Sequence, residues 1–164
     1  MQITNLTFDE IEIGDTTSYS RLITDQEVQA FAAISGDHNP LHLDPEYAAT
    51  TAFGECIAHG MLIGALISAT IAMQLPGPGS VYLSQSVQFR APVLLGDTLT
   101  VTLTVTAKHA KRPWVTLECE VTNQEEKAVA KGEAQVAAPT TKETVTVVPP
   151  PSIQLVEEAS LASD

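Results

Sequence analysis

The sequence predicts an α+β protein in which an antiparallel sheet curves around one long apolar helix. Two stretches carry that prediction. Residues 61–74, MLIGALISATIAMQ, are apolar on nearly every side, and a helix of that kind is enclosed by protein rather than laid on a surface. After the breaker Pro76-Gly77-Pro78-Gly79 the chain alternates apolar and polar residues through four long segments joined by short turns, the pattern of consecutive antiparallel strands. A sheet with one apolar face must cover it, and the helix at hand is the nearest cover. A sheet so wrapped is the hot-dog arrangement.

The elements follow in order. TSYSRLI (17–23) has weak strand character. TDQEVQAFAAISG (24–36) predicts a helix: Thr24 with Glu27 makes a capping box, Val28, Phe31, Ala32 and Ser35 share a face, and Gly36 supplies the stop. DPEYAATT starts another helix, with Asp44 as cap and Pro45 in the first turn. The apolar helix comes next. SVYLSQSVQF then predicts a strand with Val81, Leu83, Gln85, Val87 and Phe89 on one face. TLTVTLTVTA, PWVTLECEVT and KAVAKGEAQVAA complete the strand run. Residues 1–138 read as one domain. Residues 139–164 read as a proline-containing linker or tail, with TVTVV as an added edge strand and Pro149–Pro151 as a stiff extended segment. Such an ending suits a module excised from a longer fused protein.

Composition excludes several classes. Eight Lys and Arg stand against 20 Asp and Glu, a formal charge of −12. That excludes nucleic acid and an anionic membrane surface as partners, while a small phosphorylated ligand remains compatible, since a few local cations suffice. The apolar helix is too short to span a bilayer. The N-terminus has no secretory pattern, and Cys56 and Cys119 lack a CxxC spacing, so the expected setting is the reducing cytoplasm.

The candidate chemistry lies in SGDHNPLH (35–42), which holds two of the four histidines. It follows a helix stop and precedes a helix start, and its Gly, Asn and Pro fold the backbone back on itself. Asp37 and His42 then face a common point, where an acid and an imidazole around one water form a general acid–base pair. The same residues also suit a loop whose Asp and Asn only bond nearby backbone. His38, His42, Asp44 and His59 do not have a helical zinc spacing, and no metal is expected. In AHGM (58–61), His59 and Gly60 open the apolar helix. Unpartnered N–H groups there suit a carbonyl gaining negative charge, and a glycine permits close approach; a plain helix cap reads equally well.

FAAISGDHNPLHLDPEYA resembles the signature of the MaoC-like hydratases, the (R)-specific enoyl-CoA hydratases. The signature runs aromatic, spacer, aliphatic, small, Gly-Asp-x-Asn-Pro-aliphatic-His, five residues, then Ala or Ser. Phe31, Ile34, Ser35, Gly36, Asp37, Asn39, Pro40, Leu41, His42 and Ala48 fill it. The resemblance extends through TTAF, HGM and QLPGPGSVYLSQSVQFRAPVLLGD, covers residues 7–138, and is greatest to the short enzymes that feed polyhydroxyalkanoate synthesis.

The resemblance implies a homodimeric hot-dog enzyme that adds water reversibly and syn to a trans-2-enoyl-CoA, giving the (R)-3-hydroxyacyl-CoA without a cofactor. Asp37 and His42 fall on the catalytic pair and Gly60 on the residue whose N–H polarises the thioester carbonyl. Ser68 falls on an active-site serine, and Asn39 on a residue that fixes the loop. His59 and Ile71 are expected beside the substrate. His38 occupies a variable position and is expected to be a surface residue. Arg90, Lys108, Lys111 and Arg112 are the candidate cations for CoA. Two other readings remain: a non-catalytic or thioesterase-type acyl-CoA-binding hot-dog module, and the N-terminal part of a fused acyltransferase.

Overall fold

The computed structural model describes residues 1–150 and 152–154. Its elements are β1 (Gln2–Thr4), β2 (Thr16–Leu22), α1 (Asp25–Ser35), α2 (Pro40–Leu43), α3 (Pro45–Ala49), α4 (Gly60–Met73), β3 (Val81–Phe89), β4 (Thr98–Lys108), β5 (Trp114–Thr122), β6 (Ala128–Ala137) and β7 (Thr144–Thr146). Five strands form one antiparallel sheet in the order β2-β4-β5-β6-β3.

The core is the concave face of this sheet closed over α4. Ile63, Leu66, Ile67 and Ile71 of α4 pack with Val101, Leu103, Leu117, Val121 and Val136 of the strands, all buried. Threonines, glutamates and a lysine alternate with them on the convex face, as a half-solvated antiparallel sheet requires. One face of α4 is uncovered: Met61 is 60% exposed, and Ala65, Ala69 and Met73 also face outward. The sequence predicted a helix enclosed all round, and this chain alone encloses about half of it.

The capping box of α1 is present, with Glu27 N–H donating to the Thr24 side chain and Thr24 N–H to Glu27. Gly36 ends the helix at φ 77°, a left-handed position suited to glycine.

Strand β3 departs from the simple alternation. Tyr82 pairs with Val136 and Ser84 with Gln135, so Leu83 is an extra residue, a bulge. The bulge moves Tyr82, rather than Val81 and Leu83, onto the inner face with Gln85, Val87 and Phe89, opposite the buried Ala134 and Ala130. A one-residue insertion flips side-chain orientation, and nothing in VYLSQSVQF signals it.

The C-terminal segment differs from a loose linker at its start. TVT forms β7, but it pairs with β1, apart from the main sheet. Asn5 fastens it: its Nδ2 donates to the carbonyls of Pro78 and Thr141, and its Oδ1 accepts from Glu143 N–H. Residue 151 and residues 155–164, the end of the expected tail, lie outside the described residues.

Candidate active site

The loop between α1 and α3 builds itself from local hydrogen bonds. Asp37 Oδ1 accepts from Asn39 N–H at 3.2 Å. Asn39 Oδ1 accepts from Leu41 N–H and so caps α2, whose first residue is Pro40. This one-turn helix, which pattern reading did not separate from the loop, turns His42 inward. Asp44 ends α2 and caps α3 with its carboxylate.

His42 is 9% exposed, and its Nδ1 stands 2.7 Å from the carbonyl oxygen of Ile57. A carbonyl only accepts, so Nδ1 carries the proton and Nε2 is a free lone pair in the neutral ring. That Nε2 lies 3.9 Å from Oδ2 of Asp37. The gap is too long for a direct hydrogen bond and suits a molecule that donates to both, as one water does.

His59 is 2% exposed, with Nε2 3.0 Å from the main-chain oxygen of Asp37. Its ring stacks on His42, centroids 3.8 Å apart, and Phe31 closes the other side at 5.1 Å. It holds the Asp37 backbone and backs the His42 ring; it does not line the cavity. Its buried Nδ1 has no partner among the described residues. Asp37, His42 and His59 bring ligand-type atoms within 4.8 Å. Two of the imidazole nitrogens in this group are committed to carbonyls, so His59 could bind an ion through Nε2 only by releasing the Asp37 loop.

Gly60 begins α4 directly after His59, where the first N–H groups have no helical partner and the helix dipole is positive. Built onto Gly60, a Cβ would meet the Phe89 ring at 3.0 Å, so glycine lets the end of β3 close over the helix start. Beside it lies a cavity of about 400 Å³ lined by His42, Gly60, Phe53, Ile57, Phe89 and Arg90, among others. Its walls are mostly apolar. Phe53 and Phe89 had no signal beyond exposed aromaticity; both are about half exposed.

The remaining expected residues separate. Ser68 is half-buried and Ile71 buried on α4, and neither lines this cavity. His38 is exposed. Lys108 Nζ donates to the carbonyls of Phe8 and Ile11, both at 2.6 Å, and lies 4.3 Å above the Phe8 ring. It fastens the N-terminal loop. Lys111 and Arg112 are exposed on the β4–β5 hairpin.

The pattern of the family described as a MaoC like domain matches residues 10–129. The chain is 46% identical over 129 residues to the (R)-specific enoyl-CoA hydratase of Aeromonas caviae, covering 79% of this chain and 96% of that one. It is 42% identical to the enzyme of the same name from Rhodospirillum rubrum, covering 80% and 91%. Among solved structures, the unliganded R-hydratase PhaJ1 from Pseudomonas aeruginosa superposes with a TM-score of 0.91 at 48% identity, covering 95% of this chain and 100% of that one.

Proposed function

The chain belongs to the MaoC-like family, and on that premise we propose that it is an (R)-specific enoyl-CoA hydratase working on trans-2-enoyl-CoA thioesters. The observation that carries the reading is the 3.9 Å gap between the Asp37 carboxylate and the unprotonated Nε2 of His42 at the edge of an apolar cavity. A water donating one hydrogen to each is held with its oxygen lone pair free. As that oxygen bonds to the β-carbon, the pair takes a proton from the water and a proton passes to the α-carbon on the same face, a syn addition. Negative charge moves to the thioester oxygen, where a fixed N–H at the start of α4 lowers the barrier. Gly60 is that donor. The cavity's apolar walls receive the acyl chain, and the reaction needs no cofactor.

A homodimer in the cytoplasm is part of the same reading. Edge strand β3 exposes Val81, Leu83 and Phe89, and α4 has an uncovered apolar face, both of which a second copy would cover. Two free thiols suit a reducing compartment. No helix among the described residues is long and apolar enough to cross a membrane.

The test follows loss of enoyl absorbance with crotonyl-CoA and longer enoyl-CoAs, then product chirality. Expected is hydration to the (R)-alcohol. Binding without hydration would favour a thioester-binding module, and hydrolysis of the thioester a thioesterase.

A further inference from the structure

The four histidines differ in what their ring nitrogens do. His38 is exposed. His109 is exposed on the β4–β5 hairpin, where its Nδ1 accepts from Lys111 N–H at 3.1 Å. His59 gives Nε2 to the Asp37 carbonyl, and its Nδ1 is buried. His42 differs from all three. Its tautomer is fixed by the Ile57 carbonyl, its Nε2 keeps a lone pair, and its ring lines a cavity open to small molecules.

A histidine that binds a metal through Nε2 donates its Nδ1–H to a carbonyl or carboxylate, which fixes the ring and makes the free nitrogen a better ligand. His42 is already in that state, with Nδ1 2.7 Å from the Ile57 oxygen. Asp37 matches it. Its Oδ1 accepts from Asn39 N–H, while Oδ2 stands 3.9 Å from His42 Nε2. A tetrahedral zinc with an imidazole nitrogen at about 2.0–2.1 Å and a carboxylate oxygen at about 2.0–2.2 Å sets those two atoms roughly 3.4 Å apart. The gap has to close by about half an ångström to reach that value. The Asp37 side chain is half exposed, so a small rotation supplies it without moving His42. The cavity of about 400 Å³ gives the ion a way in and room for the waters that complete its shell. His59 does not join. Ring lone pairs lie in the ring plane, and the two imidazoles are stacked, 27° from parallel, so theirs do not converge on one ion.

We propose that the Asp37–His42 gap is also an inhibitory site for zinc, bound through Asp37 Oδ2 and His42 Nε2. The binding stands on geometry alone, and the inhibition rests on the hydratase reading. An ion in the gap takes the lone pairs that would hold the reacting water. Water bound to the ion has then lost both of its proton acceptors, and no group is left to pass a proton to the α-carbon. A nitrogen–oxygen pair suits zinc and its borderline neighbours. Magnesium, which prefers an octahedron of oxygens and keeps its waters, is not held.

The experiment titrates zinc calorimetrically into chelator-treated wild type, Asp37→Asn and His42→Ala. His38→Ala, His109→Ala and Cys56→Ala serve as controls, since these groups bind zinc elsewhere if they bind it at all. Expected is one site in wild type and in the controls, weakened at least about tenfold in Asp37→Asn and His42→Ala, since losing a ligand costs no less than losing a group that orients one. Asp37→Asn keeps the shape of the loop, so its result stands even if His42→Ala does not fold. Hydration of crotonyl-CoA by wild type is expected to fall by half at the zinc concentration that half-fills the site, to return with a chelator, and to ignore magnesium. No zinc binding, binding unchanged in Asp37→Asn, or inhibition that disappears in a control variant would overturn the proposal. So would a filled site that leaves hydration running. The titration needs no turnover: wild type that binds zinc in the gap but never hydrates crotonyl-CoA sinks the hydratase reading and leaves the metal site standing.

Discussion

Residues 36–44 and strand β3 are both exposed, both mix polar with apolar side chains, and both border the cavity. Their completeness differs. The loop is tied down within the chain: Asp37, Asn39 and Asp44 cap the turns that follow them, His42 Nδ1 donates to the Ile57 carbonyl, and His59, at the start of α4, bonds the Asp37 carbonyl. It needs nothing from outside the chain to hold its geometry. Strand β3 has one paired edge and one free edge, with Leu83 40% and Phe89 48% exposed. The Asp37–His42 pair is thus set by bonds inside one chain, while Phe89 in the cavity wall lies on a strand whose other edge is unpaired among the described residues. A site built this way can keep its chemistry fixed and vary its substrate by changing the open side.

The sharpest way to break that contrast is at the loop. Asp37→Asn keeps the shape and removes the carboxylate, and His42→Ala removes the lone pair facing it. Each is expected to lower kcat at least about a hundredfold, the low end for acid–base catalysis, with the thermal transition nearly unmoved for Asp37→Asn because the Asp37 side chain is half exposed. Near-wild-type turnover on crotonyl-CoA in either variant would remove the pair from the mechanism.

The next effect probes where loop and strand meet. Gly60→Ala puts a methyl 3.0 Å from the Phe89 ring. Alanine favours a helix over glycine by about 1 kcal/mol, so the helix itself is not harmed. The ring must move, and the carbonyl loses close approach to the N–H. A fall of about tenfold in kcat/KM is expected, equivalent to roughly 1.4 kcal/mol of transition-state binding. The double variant with Phe89→Ala is expected to recover part of it. Failure of the second substitution to restore any activity would mean the methyl blocks the substrate rather than the ring.

This same contrast explains what the sequence disclosed. The loop was legible because its residues act locally: an Asp capping an Asn, a Pro in a first turn and a Gly at a helix stop are chemical rules read two or three positions apart. The sheet was legible as far as its alternation went. The Leu83 bulge was not, because an inserted residue leaves no trace in composition and is set by the register of β6. Lys108 misled because a cation tied to two carbonyls and a cation free for phosphate look alike in sequence; only the position of Phe8 and Ile11, about a hundred residues away, separates them. The role of His59 was equally hidden, since its partner is the backbone of Asp37 rather than a side chain.

The smallest effect belongs to the strand. Tyr82 Oη donates to Gln85 Oε1 on the inner face, next to Cys119. Burial pushes the Tyr82 phenol up to about 12, with Cys119 adding to it. Burial also pushes the Cys119 thiol up to about 11, against small opposing hydrogen bonds. Both acids are harder to ionise folded than unfolded, where the ordinary values are 9.0 for the thiol and 10.0 for the phenol. The stability they contribute is therefore complete below about pH 9 and is lost as pH rises toward 11 and 12. Thermal melting should fall through that window, and Tyr82→Phe with Cys119→Ala should flatten the fall without altering hydration at neutral pH. An alkaline slope unchanged in the double variant would show that the strand's inner face is wetter than its packing indicates.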